Sequence, residues 1–137
     1  MTTTSSKSVA TRLAIRPGHS VYAVNPPAQF PGLLGRLPAG AHLAGKAEAP
    51  ADRVVLFAAN QAQLDRYLPE AMKVTKPDGA LWVAYPKIAS GKSDLSRQVV
   101  HDATRLAGWK PVAQISMDDV WSAIRARPAT DSERRKI

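Results

Sequence analysis

The sequence predicts a single α/β domain, three layers deep, around a mostly parallel sheet that ends in a C-terminal antiparallel hairpin. Three observations carry this reading. Val54-Val55-Leu56-Phe57 is a short unbroken apolar run rich in β-branched residues, which suits a strand covered on both faces. Leu64, Leu68 and Met72, with Tyr67 and Ala71, then recur at three- and four-residue spacing, while Asp65, Arg66, Glu70 and Lys73 fall elsewhere. That is one apolar stripe on a helix. Ala80 to Tyr85 is a second apolar strand, so residues 52–87 make a strand-helix-strand unit whose crossover is right-handed in nearly all sheets.

Within that unit Pro69 lacks an amide hydrogen, so a kink or break is expected there. Lys76-Pro77-Asp78-Gly79 is expected as a turn, because proline pre-sets its dihedral, aspartate bonds its own backbone and glycine supplies positive φ.

Upstream, Leu13 and Ile15 lead into the turn-like Arg16-Pro17-Gly18-His19 and a first strand, Ser20 to Asn25, closed by Pro26-Pro27. Gln29 to Leu37 reads as a short helix around Pro31, and Ala41 to Ala44 as a short edge strand. Downstream, the loop Pro86 to Lys92 precedes a helix that Ser93 or Asp94 can cap, with Leu95, Val99, Val100, Ala103 and Leu106 on its apolar face. Gly108 is placed to follow that helix. Trp109 to Met117 reads as a strand, Asp118-Asp119 as a turn, and Val120 to Arg127 as an alternating strand near the sheet edge, so the last two strands can pair as a hairpin. Trp82, Trp109 and Trp121 are expected to pack the sheet against its covering helices.

With 137 residues and 45% hydrophobic content, the chain is expected to fold as one domain over 10–128, with tails at 1–9 and 129–137. No window approaches the roughly 18 to 20 consecutive apolar residues of a membrane helix, and MTTTSSKS is not of signal-peptide type, so the cytoplasm is the expected compartment. The absence of cysteine excludes disulfides, thiolate metal sites and cysteine nucleophiles. A formal charge of +8 favours attraction to polyanions, although the basic residues are scattered apart from Arg134-Arg135-Lys136.

Ligands of open α/β sheets bind outside the carboxyl ends of the parallel strands. The candidate ligand-binding residues are therefore Asn25, Lys87, Ser90 and Lys92, which follow the first strand and the strand ending at Tyr85. Asn60 follows a strand as well, but helix capping is its expected role. Ser90-Gly91-Lys92-Ser93 is similar to the end of a phosphate-binding loop, yet Pro86 stands where its first glycine belongs, which leaves a weaker anion site using Lys87 and Lys92. His19, His42 and His101 lack metal-ligand spacing, and adjacent Asp118 and Asp119 suit a turn better than a carboxylate pair. No metal site and no catalytic residue is expected.

The segment KPDGALWVAYPK, following DRVVLF and a helix, resembles the second half of a class I methyltransferase domain, and the terminal hairpin resembles the reversed strand that closes that Rossmann-like fold. RPGHSVYAVNPP, LGRLPAG, ALWVAYPK, SDLS and DDVWSAIR together resemble a family of small bacterial proteins catalogued as a domain of unknown function, over about residues 12 to 128. The resemblance implies a methyltransferase-like fold. Where that fold carries a glycine-rich loop after its first strand, this chain has Asn25-Pro26-Pro27, and the acidic ribose ligand is missing after Ala41 to Ala44. The expectation is a shortened domain without a cofactor, more binder than enzyme, taking a protein partner or small anionic ligand. The alternatives are a residual S-adenosylmethionine or nucleotide-binding enzyme, and a charge-driven nucleic-acid binder.

Overall fold

The structure, a computed structural model, describes residues 8–28, 30–45, 50–87, 95–118, 120–130 and 132. In chain order the elements are α1 (Val9–Arg12), β1 (Ser20–Val24), α2 (Phe30–Leu34), β2 (His42–Leu43), β3 (Ala51–Phe57), α3 (Gln61–Lys73), β4 (Thr75–Pro86), α4 (Arg97–Leu106), β5 (Trp109–Ser116) and β6 (Trp121–Pro128). The six strands form one sheet in the order β2-β1-β3-β4-β6-β5. β1 to β4 pair in parallel, while β6 runs antiparallel to both β4 and β5. The mostly parallel α/β sheet with a C-terminal antiparallel hairpin is therefore as the sequence predicts. β5 is the edge strand and β6 lies one place in, which explains why both of its faces carry buried residues such as Ala123 and Ile124.

Each face of the sheet has its own core. On one, Val54, Leu56, Leu81, Val83 and Ile124 meet Leu64, Leu68 and Ala71 of α3 and Val100 of α4. On the other, Val21, Val55, Phe57, Trp82 and Ala84 meet the N-terminal segment and α2 through Ala10, Leu13, Phe30 and Leu34. Burying one such side chain contributes about 1.5–3 kcal/mol, so the alternation of Val54 to Phe57 between two cores fixes the place of β3 at the centre. The tryptophans pack as expected. Trp82 donates its indole N–H to the Leu13 carbonyl at 3.0 Å, Trp121 meets Phe57 edge-on at 5.0 Å, and Trp109 packs against the α3/α4 core.

Five details depart from the sequence reading. The helical turn α1 takes up Val9 with Ser8 as its cap, and at the other end Ala129 is buried and donates its amide to Gly108, so both tail boundaries drawn at 9 and 129 cut into packed chain. α3 continues through Pro69 without a break, because the bond forfeited there is that of the Asp65 carbonyl, on an exposed residue. Lys76 to Gly79 is not a turn ahead of the strand but an irregularity inside β4. The pairing shifts from Ala51↔Thr75 to Arg53↔Ala80, and a Cβ on Gly79 would lie 2.7 Å from the Asp52 carbonyl oxygen. The cap of α4 is Ser96, whose Oγ accepts from the Val99 amide at 3.2 Å, whereas the expected caps Ser93 and Asp94 lie outside the described residues. Leu106, placed on the apolar face of α4 by its spacing, is 84% exposed. Among the described residues no helix is long and apolar enough to cross a membrane.

Candidate functional site

The chain runs outward from β1 to β2 and returns to β3 on the other side of β1, so the topological switch point lies between β1 and β3. Asn25 stands there, directly after β1, with a left-handed φ of 57°. Its Nδ2 donates to the Phe57 carbonyl at 2.9 Å and to Gln63 Oε1 at 3.1 Å. The same Gln63 oxygen accepts from the Ala59 amide at 2.8 Å, and Gln63's own amide donates to Asn60 Oδ1 at 2.9 Å. Asn60 is thus the cap the sequence suggested. The Asn25 amide, expected to face a ligand, instead ties the carboxyl end of β1 to β3 and α3.

Two strands further along, Lys87 follows β4. Its backbone amide donates to the Val120 carbonyl at 2.7 Å, and its Nζ donates to Ser116 Oγ at 2.6 Å. The turn that supplies these partners is fixed by Asp118, whose Oδ1 accepts from the Val120 and Trp121 amides at 2.8 and 2.7 Å. Arg12 braces it from beneath by donating to the carbonyls of Ser116 and Met117. Asp118 is a turn residue, as its position implied; Asp119 lies outside the described residues, as do Ser90 and Lys92.

Lys87 lines a concavity of about 200 Å³ together with Tyr85, Arg97, Gln114 and Ser122. These come from four elements: the end of β4, the first residue of α4, β5 and β6. Gln114 donates its amide to the Tyr85 hydroxyl at 3.2 Å. Burial pushes the Tyr85 phenol above its ordinary value, while Arg97 pulls it the other way, so the group stays a neutral hydrogen-bonding phenol at pH 7. Two cations, a phenol, a carboxamide and a hydroxyl around one small hollow suit a phosphate or carboxylate group. Of these residues the sequence singled out Lys87 alone. Tyr85 lies two positions away in the same motif; Arg97, Gln114 and Ser122 carry no local signal and meet only through the sheet order.

Arg97 also forms one wall of a second hollow, of about 540 Å³, lined by Ser96, Gln98, His101 and Arg105. Burial, then the charges of Arg97 and Arg105, push the His101 imidazole below its ordinary value of 6.5, with Asp102 opposing. Asp102 itself accepts from Gln98 Nε2 at 2.8 Å and lines the groove between α3 and α4. Elsewhere His19 accepts the Arg16 amide on Nδ1 at 2.9 Å, in the turn before β1, and His42 lies in β2. Among the described residues no three His, Asp or Glu gather as a metal site would require.

No protein-family model matches the sequence, and no curated protein matches it either. Solved structures do match in fold. The ribosomal protein L11 methylase of Lactobacillus delbrueckii subsp. bulgaricus superposes with a TM-score of 0.56 at 9% identity, covering 89% of this chain and 76% of that one. DhpI in complex with SAH gives a TM-score of 0.60 at 9% identity, with 88% of this chain and 83% of the other covered. The Bacillus subtilis tRNA methyltransferase TrmK gives 0.51 at 7% identity, covering 91% and 67%. At such identities the likeness concerns architecture, and the chain has the methyltransferase-like, Rossmann-type fold.

The adenosyl cofactor implied by that fold does not fit the residues at the switch point. Prolines 26 and 27 offer no amide donors, and the Asn25 side chain already spans the crevice to Phe57 and Gln63.

Proposed function

We propose that this chain binds a small phosphate-bearing ligand of nucleotide type at the carboxyl edge of its sheet, and that Tyr85, Lys87 and Arg97 hold the anionic group. The observation that carries the proposal is the shared hollow of Lys87, Arg97, Tyr85, Gln114 and Ser122 just beyond the end of β4. The likeness to methyltransferase structures supports a cofactor or nucleotide binder over a scaffold that docks another protein. It also favours a second reading, S-adenosylmethionine binding, which the Asn25 bridge opposes. The sulfonium of that cofactor is cationic, so two positive side chains suit it less well than they suit a phosphate.

A thermal-shift panel with nucleoside monophosphates, inorganic phosphate, S-adenosylmethionine and its demethylated product tests both. A ligand at about 100 times its dissociation constant stabilises the native state by about 2.7 kcal/mol, which moves a domain of this size by several degrees. A shift with a nucleotide that disappears in Lys87→Ala and Arg97→Ala is the expected result. Shifts with S-adenosylmethionine alone, retained in both variants, would replace the proposal by the second reading.

A further inference from the structure

The small hollow beside Lys87 does not end at Arg97. That side chain is the common wall between the hollow and the larger one along α4, whose lining residues are all of polar type. Arg97, His101 and Arg105 stand at successive four-residue intervals and so form one stripe along the helix, about 6 Å from one to the next at 1.5 Å rise per residue. Arg97 and Arg105 are exposed and His101 is half-buried, with Gln98 and the cap Ser96 alongside. The acid of this helix, Asp102, is turned to the groove with α3 and held there by Gln98. The apolar residues Val99, Val100 and Ala103 face the α3 side. One surface of α4 is therefore left to cations and neutral hydrogen-bonding groups, in a chain with a formal charge of +8.

A lone nucleotide fills the first hollow and has no use for the second. An extended polynucleotide has use for both, because its phosphates repeat at an interval close to that of the stripe. Resting on the pocket reading above, we infer that the ligand is a single strand of nucleic acid, one phosphate lying between Lys87 and Arg97 and the continuing backbone running along His101 and Arg105. Such contacts fix the path of the strand without reading its bases, so binding is sequence-independent and depends steeply on salt. Arg105 touches the strand and lies outside the pocket.

Fluorescence anisotropy with a labelled 12-nucleotide oligouridylate, at salt from 50 to 200 mM, separates this from the pocket reading when run beside uridine monophosphate. The full chain is used, with a form ending at Thr130 as control for the basic segment Arg134 to Lys136. Arg105→Ala should weaken the oligonucleotide, reduce the slope of log affinity against log salt by about 0.7, and leave the mononucleotide unchanged. Arg105→Lys should restore most of the slope, and both effects should persist in the shortened form. An oligonucleotide affinity and slope indifferent to Arg105→Ala, with mononucleotide binding intact, would overturn the strand and keep the pocket. Wild-type protein that fails to bind the mononucleotide would overturn the pocket and this inference together.

Discussion

Asn25, directly after β1, donates one side-chain hydrogen bond to Gln63 of α3, Nδ2 to Oε1 at 3.1 Å, at the point where a parallel α/β sheet usually opens to its ligand. The same Asn25 amide reaches the Phe57 carbonyl, and its backbone is left-handed. The side chain thus bridges the opening from within, and the cationic hollow lies two strands away, beyond the end of β4.

Asn25→Ala removes both bonds and leaves a non-glycine residue in left-handed φ. A net hydrogen bond is worth about 1 kcal/mol, so a loss of about 2 kcal/mol is expected in urea unfolding at unchanged slope. Asn25→Gly should cost less by roughly 1 kcal/mol, because glycine adopts that φ freely. Equal losses in the two variants would show that the left-handed φ carries no cost at this position.

Ala14 also has positive φ, 60°, just past α1. The Ile15 amide donates to the Ala10 carbonyl and the Ala14 amide to Thr11, both at 3.0 Å, the pattern in which glycine is favoured. Ala14→Gly should raise stability by up to about 1 kcal/mol, the left-handed strain relieved outweighing glycine's larger entropy loss on folding. A lower melting temperature in this variant would contradict the reading.

Gly79 tests the irregularity in β4. A methyl group 2.7 Å from the Asp52 carbonyl oxygen forces backbone to move, so Gly79→Ala should destabilise by about 1–3 kcal/mol. If the variant unfolds at the wild-type urea midpoint, the segment Lys76 to Gly79 does not pass Asp52 as closely as described.

Asp52 accepts from the Ser20 amide at 2.9 Å, from the Ser20 hydroxyl at 3.2 Å and from Lys76 Nζ at 3.0 Å. Burial raises its carboxyl, but the Ser20 bonds and Lys76 outweigh that and hold it below its ordinary value of 3.8. A carboxyl lowered by folding contributes stability that is complete above 3.8 and fades as pH falls through the lower folded value. Urea midpoints measured from pH 6 downward should fall below pH 4 in the wild type, and less steeply in Asp52→Asn. Identical pH profiles would remove Asp52 from the account.

Much of this molecule is legible in its sequence because period and punctuation are local. Val54 to Phe57, the Leu64-Leu68 stripe, Asn60 as a cap and Gly108 after α4, with φ of 86°, all follow from neighbours within four residues. The Lys76 to Gly79 segment was misread for the same reason: its residues favour a turn, and only the closeness of β3 absorbs that turn into a paired strand. The site is harder. Lys87 is visible as a cation after a parallel strand, whereas Arg97, Gln114 and Ser122 reach it only once β6 is inserted between β4 and β5. Asn25 is legible as a residue at the switch point from its place after β1, but its bridging bonds are not, since its hydrogen-bond partners, Phe57 and Gln63, are more than thirty residues away.

The most direct test of the central claim is the ³¹P resonance of a nucleoside monophosphate titrated with the protein. The account predicts that wild-type protein shifts and broadens this resonance, that Arg97→Gln or Lys87→Ala abolishes the effect, and that Asn25→Gly leaves it in place. A resonance perturbed equally by wild type and Arg97→Gln, or lost only in the Asn25 variant, would contradict the account and return the ligand to the crevice between β1 and β3.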